Sequence, residues 1–156
     1  EAMPQECELE FLTDNGSAYI AHETRGVAKS LGLKPLVRVR ATAIAGVEPC
    51  VMGTGPIPAV KKVLKRAGLS LSDIDLIELN EAFASQSLAV IRETGLNPDI
   101  VNVNGGAIAL GHPLGCTGAK LTVQIMNELK RKDQKYGIVT MCVGTGQGAA
   151  GVIEML

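Results

Sequence analysis

Between residues 56 and 155 the chain repeatedly switches between apolar residues at helical spacing and short apolar runs of strand length. No other feature limits the fold as much. Pro56 and Pro58 open a helix whose Val60, Val63, Leu64 and Ala67 recur at helical spacing, and Gly68 closes it. Ser70 or Ser72 caps a turn before an apolar strand over 74–79. A helix over about 81–93 follows, with Ala84, Leu88 and Ile91 on one face. Residues 100–103 read as a short strand leading into a glycine-rich loop. Beyond it Leu121, Ile125, Met126 and Leu129 mark an amphipathic helix ending near Lys130, Arg131 and Lys132, where cations suit the helix dipole. Strands over 137–142 and 149–155 close the chain around a glycine-rich turn.

Upstream, residues 36–46 alternate apolar and polar, the period of a half-buried strand. Residues 24–31 read as a short helix ended by Gly32, and 8–12 and 18–22 as short strands around Asp14, Asn15 and Gly16. Strands interleaved with helices, then a terminal hairpin, predict a single α/β layered domain with a mixed sheet. With no Trp, two Tyr and two Phe, its core must be aliphatic.

Composition narrows the function classes. Hydrophobic residues at 46% and charged residues at 20% match a globular chain rather than a disordered one. A net charge of −1 offers no field to attract nucleic acid or an anionic membrane. Lys61, Lys62, Lys65 and Arg66 alternate with apolar residues as the solvated face of a helix. Cys7, Cys50, Cys116 and Cys142 have no CxxC spacing and the two histidines lie far apart, so no metal site is expected. With no signal peptide or 18-residue apolar span in view, a cytoplasmic setting is the expectation.

Three segments place reactive groups where strands end. Asn80 follows the strand over 74–79 at its C-terminal edge, the usual station for functional groups in α/β sheets. There it holds a water or donates to an oxyanion, or else it caps the next helix. Residues 104–118 hold five glycines in fifteen residues, with His112 restrained between Gly111 and Pro113. Imidazole is the natural acid/base near neutrality. Cys142 ends an apolar strand before a turn rich in backbone N–H groups, where developing negative charge is stabilised and a thiol ionises more readily. The alternative is a small buried hydrophobe. Residues 146–151 fit GxGxxG, but only five residues follow, too few for a dinucleotide fold.

In order and spacing these segments resemble the late motifs of the thiolases: NEAFA at 80–84, GGAIALGHPLGCTG at 105–118 and CVGTGQG at 142–148. The second matches the family's GGxxALGHPxGxSG with Thr117 in place of Ser. The resemblance runs from about residue 31 to 156. It implies a thiolase-like C-terminal half, a mixed β-sheet with helices on both faces. It also implies acyl transfer between acyl-CoA thioesters, with making or breaking of the carbon–carbon bond of a 3-ketoacyl-CoA.

In that reading Cys142 is the acid/base that moves the α-proton. His112 activates a nucleophilic cysteine and, with a water held by Asn80, stabilises the enolate. The Gly144 N–H serves an oxyanion hole, and Ala82 and Phe83 join Gly144 in contacting substrate. The Cys142 thiol is expected to be tuned down toward neutrality. Coenzyme A enters as thioester substrate, and no cofactor is implied.

The resemblance also marks what is missing. The family's nucleophilic cysteine belongs to its N-terminal half, and Cys7, Cys50 and Cys116 lack its setting. The expected partners are therefore an acyl-CoA and either a second copy of the chain or a complementary N-terminal half. The alternative is a non-catalytic half-domain that acts only with a partner chain. Residues 1–30 are atypical, and 1–35 resemble a core segment of insertion-sequence transposases, with Asp14 in the DNGS position. A lone carboxylate does not hold two metal ions, so no nucleic-acid chemistry is expected.

Overall fold

A computed structural model of the chain describes residues 22–156. The expected strand over 8–12, Cys7 and the Asp14 turn lie outside the described residues, as does all of the 18–22 strand except His22. Helix α1 (His22–Ser30) begins at that residue. Strand β1 (Val37–Gly46) follows, and a 3-10 stretch (Pro49–Thr54) leads into α2 (Pro56–Ala67). Then come β2 (Leu76–Leu79), α3 (Ala84–Thr94), the one-turn α4 (Ala107–Leu110), α5 (Thr117–Lys132), β3 (Tyr136–Val143) and β4 (Gln147–Met155).

The four strands form one mixed sheet in the order β1-β4-β3-β2. Strand β4 runs antiparallel to both neighbours, while β2 runs parallel to β3. The two-residue period of a strand then sorts the core onto two faces. Ile77, Leu79, Ile138 and Val152 pack with Val60, Val63 and Leu64 of α2 and Val90 of α3. Leu76, Val139 and Ile153, their chain neighbours, turn the other way onto Leu121, Ile125 and Leu129 of α5. Helices therefore cover both faces, as the resemblance implied. Each fully buried aliphatic side chain contributes roughly 1.5–3 kcal/mol.

Two expectations need correction. Residues 100–103 are not a strand; only a parallel bridge joins Val101 to Ile77. A 3-10 turn (Pro98–Ile100) precedes it, and Asn102 has φ +49. The Asn102 amide takes the place of ladder peptides: Leu79 N–H donates to its Oδ1 at 2.9 Å, and its Nδ2 donates to Leu79 O at 2.8 Å. Helix α3 starts at Ala84, three residues later than expected, because the chain stays extended through Phe83. Its buried face carries Gln86, Ser87, Val90 and Thr94, and Leu88 is 51% exposed.

The basic face of α2 is exposed as expected. Two of its cations reach β1: Lys62 Nζ donates to Ile44 O at 2.9 Å and Arg66 to Thr42 O at 2.7 Å. The turn between β3 and β4 lies hard against the 3-10 stretch. A Cβ on Gly148 would sit 2.0 Å from the carbonyl carbon of Gly55, so backbone touches backbone there and only glycine fits.

Candidate active site

Asn80 is where β2 delivers it, completely buried at the strand's C-terminal end. Its N–H donates to Thr140 O on β3 at 2.9 Å. It does not cap α3, whose cap position is Phe83. The Asn80 Nδ2 lies 3.4 Å from His112 Nε2, while its Oδ1 is buried without a protein partner. A buried carbonyl oxygen left unpaired is costly, so this atom is an acceptor waiting for a water or ligand donor.

The other ring nitrogen of His112 fixes the tautomer. Thr117 Oγ1 lies 2.7 Å from Nδ1, and the same hydroxyl donates its proton to Pro113 O at 3.0 Å. With its hydrogen committed, Thr117 can only accept, so Nδ1 carries the proton and Nε2 presents its lone pair toward Asn80. Lys120 Nζ donates to Gly111 O at 2.8 Å, pinning the residue before the imidazole. Thr117 is buried at the start of α5 and was missed as a functional position, although its hydroxyl is what the family's Ser would supply.

Cys142 lies on β3, two residues beyond Thr140, so adjacent strand ends carry it and Asn80. It lines a cavity of about 340 Å³ together with Ala82 and Phe83, bringing three sequence-selected residues to one place. Cys50, Met52 and Gln86 also line it, and no sequence signal singled them out. Gly144, the next residue after β3, is exposed, with open space where a side chain would stand. The thiol does not follow the expectation of a value tuned toward neutrality. Burial pushes Cys142 above the ordinary cysteine range, only partly opposed by a backbone hydrogen bond. Among the described residues no three His, Cys, Asp or Glu side chains gather as a metal site, and no helix is long and apolar enough to cross a membrane.

The arrangement therefore contains an imidazole whose Nε2 faces Asn80, a buried acceptor beside it, and a thiol whose ionisation burial disfavours, lining a cavity with Ala82 and Phe83. Known proteins share the sequence and fold that build it. The family described as Thiolase, C-terminal domain, matches residues 33–155. The 3-ketoacyl-CoA thiolase of Bacillus subtilis (strain 168) is 57% identical over 143 residues, 92% of this chain and 37% of that protein. The 3-ketoacyl-CoA thiolase of Psychrobacter cryohalolentis is 53% identical over 145 residues, again 92% and 37%. Among solved structures, the Bacillus anthracis acetyl-CoA acetyltransferase superposes with a TM-score of 0.81 at 51% identity, over 84% of this chain and 33% of that one. The chain thus spans about a third of the length of these relatives. A match over 92% of 156 residues reaches upstream of residue 33, so the thiolase likeness takes in part of the segment that was expected to be atypical.

Proposed function

The chain belongs to the thiolase family as its C-terminal domain, and from that premise we propose that it carries the acid/base half of a 3-ketoacyl-CoA thiolase site. The nucleophilic cysteine comes from a segment outside these 156 residues. In cleavage, that cysteine attacks the 3-keto carbon, and its proton passes to His112 Nε2. The carbon–carbon bond then breaks, the electron pair leaves as a thioester enolate, and Cys142 Sγ–H protonates the enolate carbon. Burial disfavours the thiolate and so keeps on Cys142 the proton that this step consumes. Asn80, through a water on its Oδ1, and His112 stabilise the enolate oxygen. The Gly144 N–H stabilises the tetrahedral oxyanion, and Ala82 and Phe83 contact the acyl group. The substrate brings the coenzyme A, the site calls for no other cofactor, and the setting is cytoplasmic.

The observation that carries this reading is the His112 tautomer, because a base needs a lone pair and Nδ1 protonation leaves it on Nε2, beside Asn80. The test combines the chain with a nucleophile-bearing thiolase N-terminal half and measures CoA-dependent cleavage of acetoacetyl-CoA. The chain alone should show no turnover. The reassembled enzyme should, and His112→Ala or Cys142→Ala should each lower kcat by about 100-fold or more. Full activity surviving Cys142→Ala removes it from the mechanism. An assembled but inactive pair favours the non-catalytic half-domain instead.

A further inference from the structure

Glu81, next to Asn80, has no part in the chemistry above, yet its carboxylate sits at the centre of the loop that carries His112. Its Oε1 accepts from Asn102 Nδ2 at 3.0 Å, and its Oε2 accepts from the Ile108 N–H at 3.0 Å. Ile108 lies in α4, whose end, Gly111, leads directly to His112. The Gly111 N–H donates back to Ala107 O at 2.8 Å, so the turn between Ile108 and the imidazole is itself closed.

A second observation points to the same place. A Cβ on Gly106 would lie 2.2–2.4 Å from the carboxyl carbon and both oxygens of Glu81. Gly106 thus makes room for this carboxylate. Asn102 in turn grips both backbone groups of Leu79, the residue before Asn80. The bonds close a circuit from Asn80 through Glu81, Ile108 and His112 back to Asn80 Nδ2.

We propose that Glu81 is a positioning residue that holds the loop of His112 so that the imidazole stays between Thr117, which sets its tautomer, and Asn80, which Nε2 faces, without touching substrate. Both partners of Glu81 are donors, so the position requires two acceptor oxygens, which a carboxylate has and an amide lacks. With both oxygens engaged by the protein, the group is not free to act as a base on substrate. The inference rests on Asn80 and His112 being the working pair of the proposed site. Its test, however, reads their geometry and not turnover.

The experiment is 15N NMR of the histidine-labelled 156-residue chain, which has two histidines, with His112→Ala assigning the signals. At a pH where the rings are neutral, the His112 nitrogens should show a strong bias to the Nδ1-protonated form. Glu81→Gln should move them toward the averaged shifts of free histidine while the amide spectrum of the sheet is retained. Unchanged His112 shifts in folded Glu81→Gln overturn the proposal.

Amide exchange in the unmutated chain tests the same contact even if that variant does not fold. The Ile108 N–H, near the start of α4, should exchange at least about tenfold more slowly than an exposed amide, because Glu81 is its acceptor. Exchange at the exposed rate overturns the proposal. In the reassembled enzyme Glu81→Gln should lower kcat by about 100-fold with KM for coenzyme A unchanged. If the NMR effects appear and the unmutated enzyme is inactive, the thiolase reading fails and the positioning role stands.

Discussion

Cys142 shows how far a residue's chemistry depends on its surroundings. A thiol at a strand end before a glycine turn matches the sequence setting of an activated cysteine, and the resemblance implies a value lowered toward neutrality. In the structure the largest influence is loss of water around a half-buried sulfur, which disfavours the thiolate. Iodoacetamide should therefore react with Cys142 along a pH profile whose midpoint lies above that of free cysteine, about 8.5. Cys50, which is exposed, should alkylate faster at pH 7.5. A Cys142 midpoint below 8 would show that neighbouring dipoles outweigh burial. Ala82 and Phe83 line the same cavity as Cys142, and Gly144 is exposed just beyond β3, but the direction in which the thiol moves was not legible in any motif.

At the scale of elements, α3 is the instructive case. Its spacing places Ala84, Leu88 and Ile91 on one face; Ile91 does pack against the core, but Ala84 and Leu88 are exposed and the buried side chains are Gln86, Ser87, Val90 and Thr94. The helix begins late because residues 80–83 first carry the chain over the sheet edge, and a helix shifted in start and docking presents a different stripe. Val90→Ala removes buried methyl groups from the α2 side of the core and should cost about 1–3 kcal/mol in urea unfolding. Leu88→Ala should stay within about 0.5 kcal/mol, the range of surface substitutions. Equal costs for the two would mean that Leu88 is buried in solution and that α3 docks by a different face. Helices α2 and α5, by contrast, bury the stripes their spacing predicts, because each lies along the sheet for most of its length.

At the scale of the whole molecule, one buried carboxyl group matters that no motif marks. Glu78 on β2 is 2% exposed beneath α5, with Gln124 Nε2 donating to Oε1 at 3.1 Å and Oε2 unpaired. Burial raises its carboxyl to about 7, opposed by the Gln124 bond and by Lys120 and reinforced weakly by Glu128 and Glu81. The folded state thus holds a proton that the unfolded chain releases near 4.3–4.5. In that window the folded chain binds more protons, so stability falls as pH rises from about 4.5 to 7. The loss should be of order 3 kcal/mol, since each pH unit across that window costs about 1.4 kcal/mol. Glu78→Gln should flatten unfolding free energy against pH over that range, and an unchanged slope would place the proton elsewhere.

Overall shape leaves the loop before α5 apolar and open: Ile108, Leu110 and Leu114 are 66%, 55% and 81% exposed. The apolar stripe of α5 itself is buried against the sheet, whereas these three side chains stand in solvent. Sedimentation of the chain should show association that grows with concentration and weakens in Leu114→Glu. A monomer at all concentrations would count against it.

The amino-acid sequence by itself determined the layered α/β class, helices α2 and α5 and the closing hairpin, and it singled out Asn80, His112 and Cys142 as candidates. These are properties of local period and of motif spacing, which neighbours do not alter. Tertiary structure alone decided the rest. Whether 100–103 pairs as a strand depended on Asn102 finding the Leu79 peptide. The tautomer of His112 depended on where Thr117 sends its one proton, and the use of Glu81 on a loop more than twenty residues away. Each of these is a contest between partners brought together only by folding, and no period along the chain encodes who wins it.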